Sequence, residues 1–223
     1  MKRWLFLLLV IAVAFCGRRV GERSDRPEDA STKGNTCLHD GEPLEQVLNA
    51  YAAGVEAEPE KWMYSNKASD FRDCSGMFIR LCEELEEQFC ENFEFPGRKF
   101  HSTRDLAAWY AKYGDLKLIS NAQSNQDLIA VGQVMFYGRA NKNAPRRLKL
   151  DDLIAPYPKG LLAHMGVVVA VDKEEDGSLI SYTLYHGRSS GKPASRSIIR
   201  TKQNPDFGNW GQPWLAVASI LVK

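Results

Sequence analysis

Apolar residues fall at Met77, Phe78, Leu81, Cys82, Leu85 and Phe89, with polar and charged positions between them. Spacings of three and four place them on one face of a helix. Leu44, Val47, Leu48 and Tyr51 keep the same period and predict a short helix, capped by Asp40 and ended at Gly54. Leu106, Trp109, Tyr110 and Tyr113 predict another from Thr103 to Tyr113, with Ser102 or Thr103 as cap and Gly114 as stop. The period then changes. Leu128 to Tyr137 reads as a buried strand bent at Gly132, Leu162 to Val171 is β-branched, and Leu179 to His186 alternates. The turn Asp172 to Gly177 joins the last two as a hairpin, and Ser197 to Thr201 and Trp214 to Leu221 add two more strands. Helices first and strands afterwards predict an α+β fold, with N-terminal helices packed on a largely antiparallel sheet of five or six strands.

The first 36 residues follow neither period. Lys2 and Arg3 precede an apolar run from Trp4 to Phe15, which is too short to cross a bilayer and reads as an export signal over residues 1–16. Two endings are open: an ordinary cleavage site at Ala12-Val13-Ala14, or lipidation at Cys16 within Val13-Ala14-Phe15-Cys16-Gly17. The first gives a periplasmic or secreted protein, and the second a lipoprotein held to a membrane by its anchor at Cys16. Residues 17–36 are polar and charged, cannot bury enough surface to offset ordering, and read as a flexible tether. Residues 37–223 then form one domain. Within it, Arg139 to Gly160 is rich in turn residues and charge and reads as a lid, a substrate-facing loop or a solvated insertion. A net charge of +1 excludes a broad nucleic-acid footprint. Five cysteines are too few for a disulfide scaffold at this length, and a monomer is expected.

The chemistry starts at Asp73-Cys74-Ser75-Gly76, which opens the helix of Met77 to Phe89. A thiol in a helix's first turn faces the positive end of the macrodipole, which favours the nucleophilic thiolate. Of the four histidines, His39 and His101 read as surface residues. His164 stands near the start of one hairpin strand and His186 at the end of the next, so the hairpin can bring them together on one sheet face. A cysteine nucleophile needs a base, and the base needs a third group to orient it. Cys74, His164 and His186 fill these roles in that order. Zinc is the competing reading of one Cys and two His, but the chain has no C-x-x-C or H-x-x-x-H pair. No metal or cofactor is expected. Cys82 and Cys90 stand eight residues apart, a rise of ~12 Å that is too long for a disulfide within one helix. Whether Cys37 pairs with either is open.

These pieces together resemble the NlpC-type cell-wall peptidases, a bacterial branch of the papain-like cysteine peptidases. The matching segments are Asp73-Cys74-Ser75-Gly76, Val131-Gly132-Gln133-Val134-Met135-Phe136, His164-Met165-Gly166-Val167 and Tyr185-His186-Gly187, in the family's order. Phe95-Pro96 and the helix from Thr103 resemble the family's segment between the Cys helix and the first strand, so the resemblance runs from about Trp62 to Val222. It implies a papain-like fold and an endopeptidase acting on peptidoglycan stem peptides, commonly between D-Glu and a diamino acid. By the same resemblance Cys74 attacks, His164 is the base and His186 orients it, while Asp73, Ser75 and Tyr64 contact the free amine end of the peptide. The family's Tyr-x-x-Gly-Gly segment is here Tyr64-Ser65-Asn66-Lys67, without the glycines, and Gln133 replaces its usual Asp. The alternatives are a papain-like amidase or acyltransferase on another substrate, or a catalytically silent envelope binding protein.

Overall fold

The computed structural model describes residues 43–88, 93–140, 147–204 and 206–223. The expected export signal, the tether, Cys16, Cys37, His39, Asp40 and Cys90 lie outside them. Four α-helices are described: α1 (Leu44–Ala57), α2 (Cys74–Gln88), α3 (Thr103–Tyr113) and α4 (Leu150–Ile154). Six strands follow the same numbering: β1 (Lys117–Leu118), β2 (Gln133–Gly138), β3 (Leu162–Lys173), β4 (Leu179–His186), β5 (Ser195–Arg200) and β6 (Trp214–Ser219). They form one open antiparallel sheet in the order β1-β6-β2-β3-β4-β5, so the fold is α+β as the period change predicts. Among the described residues, no helix is long and apolar enough to cross a membrane.

The α2 stripe Met77, Phe78, Leu81, Cys82 and Leu85 is buried, together with Val47 and Leu48 of α1 and Leu106 and Tyr110 of α3. All pack on one sheet face, which presents Val134, Phe136, Met165, Val167 and Ala216. The other face carries a second apolar cluster, with Met135, Tyr137, Val168, Leu184 and Trp214. The central strands are therefore apolar on both sides. Cys82 is a free, buried thiol. Asn49 of α1 donates to Val169 O at 2.8 Å, and Arg196 of β5 pairs with Glu56 at 2.7 Å, which ties α1 across three strands.

Three expectations change. Gly54 does not end α1, which runs on to Ala57 because Val55 is buried and repays the weak helix propensity of glycine. Leu128 lies in a 3₁₀ turn, and β2 starts only at Gln133, because Gly132 turns the chain at φ 80°. Gly132 still bonds both neighbours, through its N–H to Val168 O and its carbonyl from Ile220 N–H, each at 2.8 Å. The segment 139–160 contains a helix that its turn-rich composition conceals: α4 buries Leu153, and its Asp152 carboxylate accepts from Lys149 N–H at 3.2 Å.

Candidate active site

Asp73 organises the start of α2. Its Oδ1 accepts from Gly76 N–H at 2.6 Å, and its carbonyl accepts from Met77 N–H at 2.9 Å. The side chain thus caps one first-turn donor, Gly76 N–H. Ser75 Oγ lies 3.1 Å from the same carboxylate oxygen and donates to His101 O at 2.7 Å, so the Ser75 hydroxyl is engaged in the cap and the neighbouring loop. Gly76 is required by close approach: a Cβ there would stand 2.5 Å from the backbone of Phe71. Phe71 itself sits at φ 47°, a strained value for an aromatic residue, and Arg80 holds that turn by donating to Phe71 O at 3.0 Å and Asp70 O at 2.9 Å.

Cys74 is buried at the first position of α2, and its Sγ lies 3.6 Å from Thr103 Oγ1 at the start of α3. Burial raises its thiol above the ordinary value, and the Asp73 carboxylate adds to that. The Thr103 hydroxyl and the backbone N–H groups of Met165 and Ser75 oppose the rise without cancelling it. The thiolate expected from the helix terminus is therefore replaced by a resting thiol, because burial and an adjacent carboxylate outweigh the helix end.

The two hairpin histidines meet. His164 Nε2 and His186 Nδ1 are 2.7 Å apart, with ring centroids at 4.9 Å and planes at 73°. Gly166 makes this possible, since a Cβ there would stand 2.9 Å from His186 Cβ. Burial lowers His164 to about 4 and takes His186 well below the usual imidazole value, and the Arg188 guanidinium pushes both the same way. Both rings are neutral at neutral pH. No family model matches the chain, and no curated protein or solved structure matches it.

The thiol and the histidine pair approach the same stretch of β3 from different directions. Met165 and Val167 face the helices, while His164 falls on the other side of the strand and stacks on Tyr137 at 6.1 Å. Among the described residues, no hydrogen bond joins Cys74 to either imidazole; the thiol meets β3 at the N–H of Met165, the residue after His164. Gly187 closes the other side, where a Cβ would stand 2.8 Å from Asp73 C and O and 2.9 Å from Cys74 Cα. The end of β4 thus lies directly against the backbone that carries the thiol.

A cleft of about 350 Å³ opens beside the thiol. Tyr64, Asp73, Cys74 and Ser75 all line it. Tyr64 is close enough to Cys74 and Asp73 that both add to the effect of burial in raising its phenol to about 12. Arg139, Leu153 and Tyr157 form another wall, so the turn-rich insertion faces the cleft and is more than solvated surface. Arg139 is fixed there by donating to Pro158 O and Gly160 O, each at 3.0 Å. His101 is exposed, as its loop position predicts, but it also borders this cleft, and its carbonyl anchors Ser75. Among the described residues, no group of three or more His, Cys, Asp or Glu is placed to hold a metal ion.

Four neighbours of the site are not legible from motifs. Thr103 reaches the thiol, Ser197 Oγ stands 2.9 Å from His186 Nε2, Arg188 Nη1 donates to Ser197 Oγ, and Trp210 lies 4.1 Å from the Arg188 guanidinium. Register is the signal that locates Ser197: His186 pairs with Ser195, so Ser197 is its diagonal neighbour on the same face.

Proposed function

We propose that this chain is an exported, papain-like cysteine hydrolase of the NlpC type that cleaves peptidoglycan stem peptides. The observation that carries the reading is the His164–His186 hydrogen bond of 2.7 Å, made one residue from the strand position where the Cys74 thiol docks. The order of the motifs and the cleft along Tyr64, Asp73, Cys74 and Ser75 support it.

In this reading His164 Nε2 is occupied by His186, so Nδ1 takes the Cys74 proton as the sulfur adds to the scissile carbonyl carbon, a step that requires both side chains to leave the Thr103 and Tyr137 contacts that hold them on opposite sides of β3. Asp73 binds the N–H groups of Gly76 through its carboxylate and of Met77 through its carbonyl, and in this reading the N–H of Cys74 stabilises the oxyanion. Collapse of the tetrahedral adduct breaks the C–N bond, and the amine leaves with the proton from His164. Water then gives its proton to His164, adds to the thioester and releases the acid, restoring the thiol. Because both groups rest neutral, the proton moves with attack rather than beforehand.

One observation favours the second reading, an envelope binding protein without turnover: Cys74 bonds Thr103 and not an imidazole. A single experiment decides between them. Purified protein is incubated with peptidoglycan, and released fragments are identified by mass for the wild type, Cys74→Ala and His164→Ala. Hydrolase action predicts new amine and carboxyl ends that disappear in both variants. Equal release from all three, or none from the wild type with binding retained, would overturn the proposal. Fragments joined to an added amine would assign an acyltransferase instead.

A further inference from the structure

We infer that Ser197 is a positioning residue, which holds the proton of His186 on Nε2 against the charge of Arg188 and so keeps His164 Nδ1 free as a base. The inference rests on the hydrolase reading for the role of that base, and on geometry for the rest. Two nitrogens converge on Ser197 Oγ: His186 Nε2 at 2.9 Å and Arg188 Nη1. A guanidinium can only donate, and a hydroxyl oxygen has two lone pairs. In the proposed state one lone pair takes the Arg188 proton and the other takes the His186 Nε2 proton; the opposite arrangement, with the Ser197 hydroxyl donating to a bare Nε2, is the one the tautomer measurement below excludes. Ser197 is half-buried, which leaves its own proton free to turn toward solvent.

The rest of the chain follows from one proton per neutral ring. With Nε2 of His186 protonated, its Nδ1 has a lone pair and accepts from His164 Nε2 across the 2.7 Å contact. His164 Nδ1 is then bare. Without the Ser197 oxygen, the fixed positive charge of Arg188 faces His186 Nε2 directly. The proton then favours Nδ1 of His186, which becomes a donor to His164 Nε2, and the proton of His164 moves to its own Nδ1. Arg188 is itself held in place, with its guanidinium 4.1 Å from the Trp210 ring, so its charge does not swing away. The Trp210 ring also lies edge-to-face with His186, with centroids 5.8 Å apart. One serine therefore separates two tautomeric states of the pair, and only one of them has a base at Nδ1.

The test reads the tautomers directly, in full-length protein labelled with ¹⁵N-histidine. Long-range ¹H–¹⁵N correlation at neutral pH identifies which nitrogen of each ring carries the proton. The wild type and Ser197→Thr, which keeps the hydroxyl, should both show Nε2 protons on His164 and His186. Ser197→Ala should move both to Nδ1. Ser197→Ala combined with Arg188→Met removes the charge as well, and should return both to Nε2, the ordinary preference of imidazole. Nδ1 protons in the wild type, or unchanged tautomers in Ser197→Ala, would overturn the inference. Where fragment release is measurable, Ser197→Ala should lower kcat by ~100-fold, within the range of a lost general base, with KM unchanged and with recovery in Ser197→Thr. An inactive wild type whose tautomers behave as stated would sink the hydrolase reading and leave the proton relay standing. An active enzyme with the wrong tautomers would do the reverse.

Discussion

Gly187→Ala tests how closely the two halves of the site are pressed together. The added Cβ would lie 2.8 Å from Asp73 C and O and 2.9 Å from Cys74 Cα. Carbon atoms rest at about 3.5–4.0 Å, so the end of β4 and the start of α2 must separate by at least ~0.7 Å. The colliding atoms on the helix side are backbone, so no side-chain rotation relieves the contact. Gly187 has no left-handed φ, which makes the effect one of volume and not of backbone conformation. Overpacking of this kind costs about 1–3 kcal/mol. For a domain of this size that is a fall in Tm of roughly 2–12 °C, at ~2–4 °C per kcal/mol. On the hydrolase reading, misplacing reacting groups by about 1 Å costs on the order of 100-fold, so kcat/KM for fragment release should fall by ~10- to 100-fold. Calorimetry and fragment release from the same preparation supply both numbers. A variant with wild-type Tm and wild-type activity would refute the packing argument outright. Lost stability with full activity would show that the separation does not reach the reacting atoms.

Stability should also fall as pH drops. His164 titrates at about 4 in the folded chain and near 6.5 once unfolded, so between those values the unfolded state binds more protons and stability declines with decreasing pH. The full effect is on the order of 3 kcal/mol, and His186 adds in the same direction. Urea midpoints from neutral pH down to 4 should decline less in His164→Gln than in the wild type; parallel curves would show that His164 is not the origin. Asp73→Ala should lose about 1 kcal/mol of helix capping, while Asp73→Asn keeps an acceptor and most of the stability, read as Tm. Asp73→Asn also removes a charge that raises the Cys74 thiol, so alkylation of Cys74 by iodoacetamide at neutral pH should speed up; slower labelling would contradict the electrostatic assignment.

Local signals carried much of this molecule. The α3 boundaries follow from Ser102, whose hydroxyl accepts from Asp105 N–H at 3.1 Å, and from Gly114, and both act within a few residues. The β3–β4 hairpin follows from β-branching on either side of a turn ending at Gly177, which adopts φ 85°. Failures arose where distant residues decide. Gly54 looks like a stop until Val55 is seen to reach the core, and β1 is two residues long, too short to show any period. A helix-start thiol reads as activated when only its own helix is considered, yet its burial comes from α3 and β3, which no local pattern reports. Ser197 and Arg188 needed the β4–β5 register before either could be placed beside His186.

The hairpin that carries both histidines also sets an order of assembly. His164 and His186 are 22 residues apart and sit on strands joined by one tight turn, so their contact closes a short loop. Cys74 belongs to a helix far earlier in the chain, and its docking on Met165 requires the much longer closure that packs α2 on the sheet. Short loops close at lower entropic cost and sooner. The histidine pair should thus form before Cys74 docks on β3. On the hydrolase reading, a half-folded copy therefore holds paired histidines without a docked thiol and is silent toward any peptide it meets.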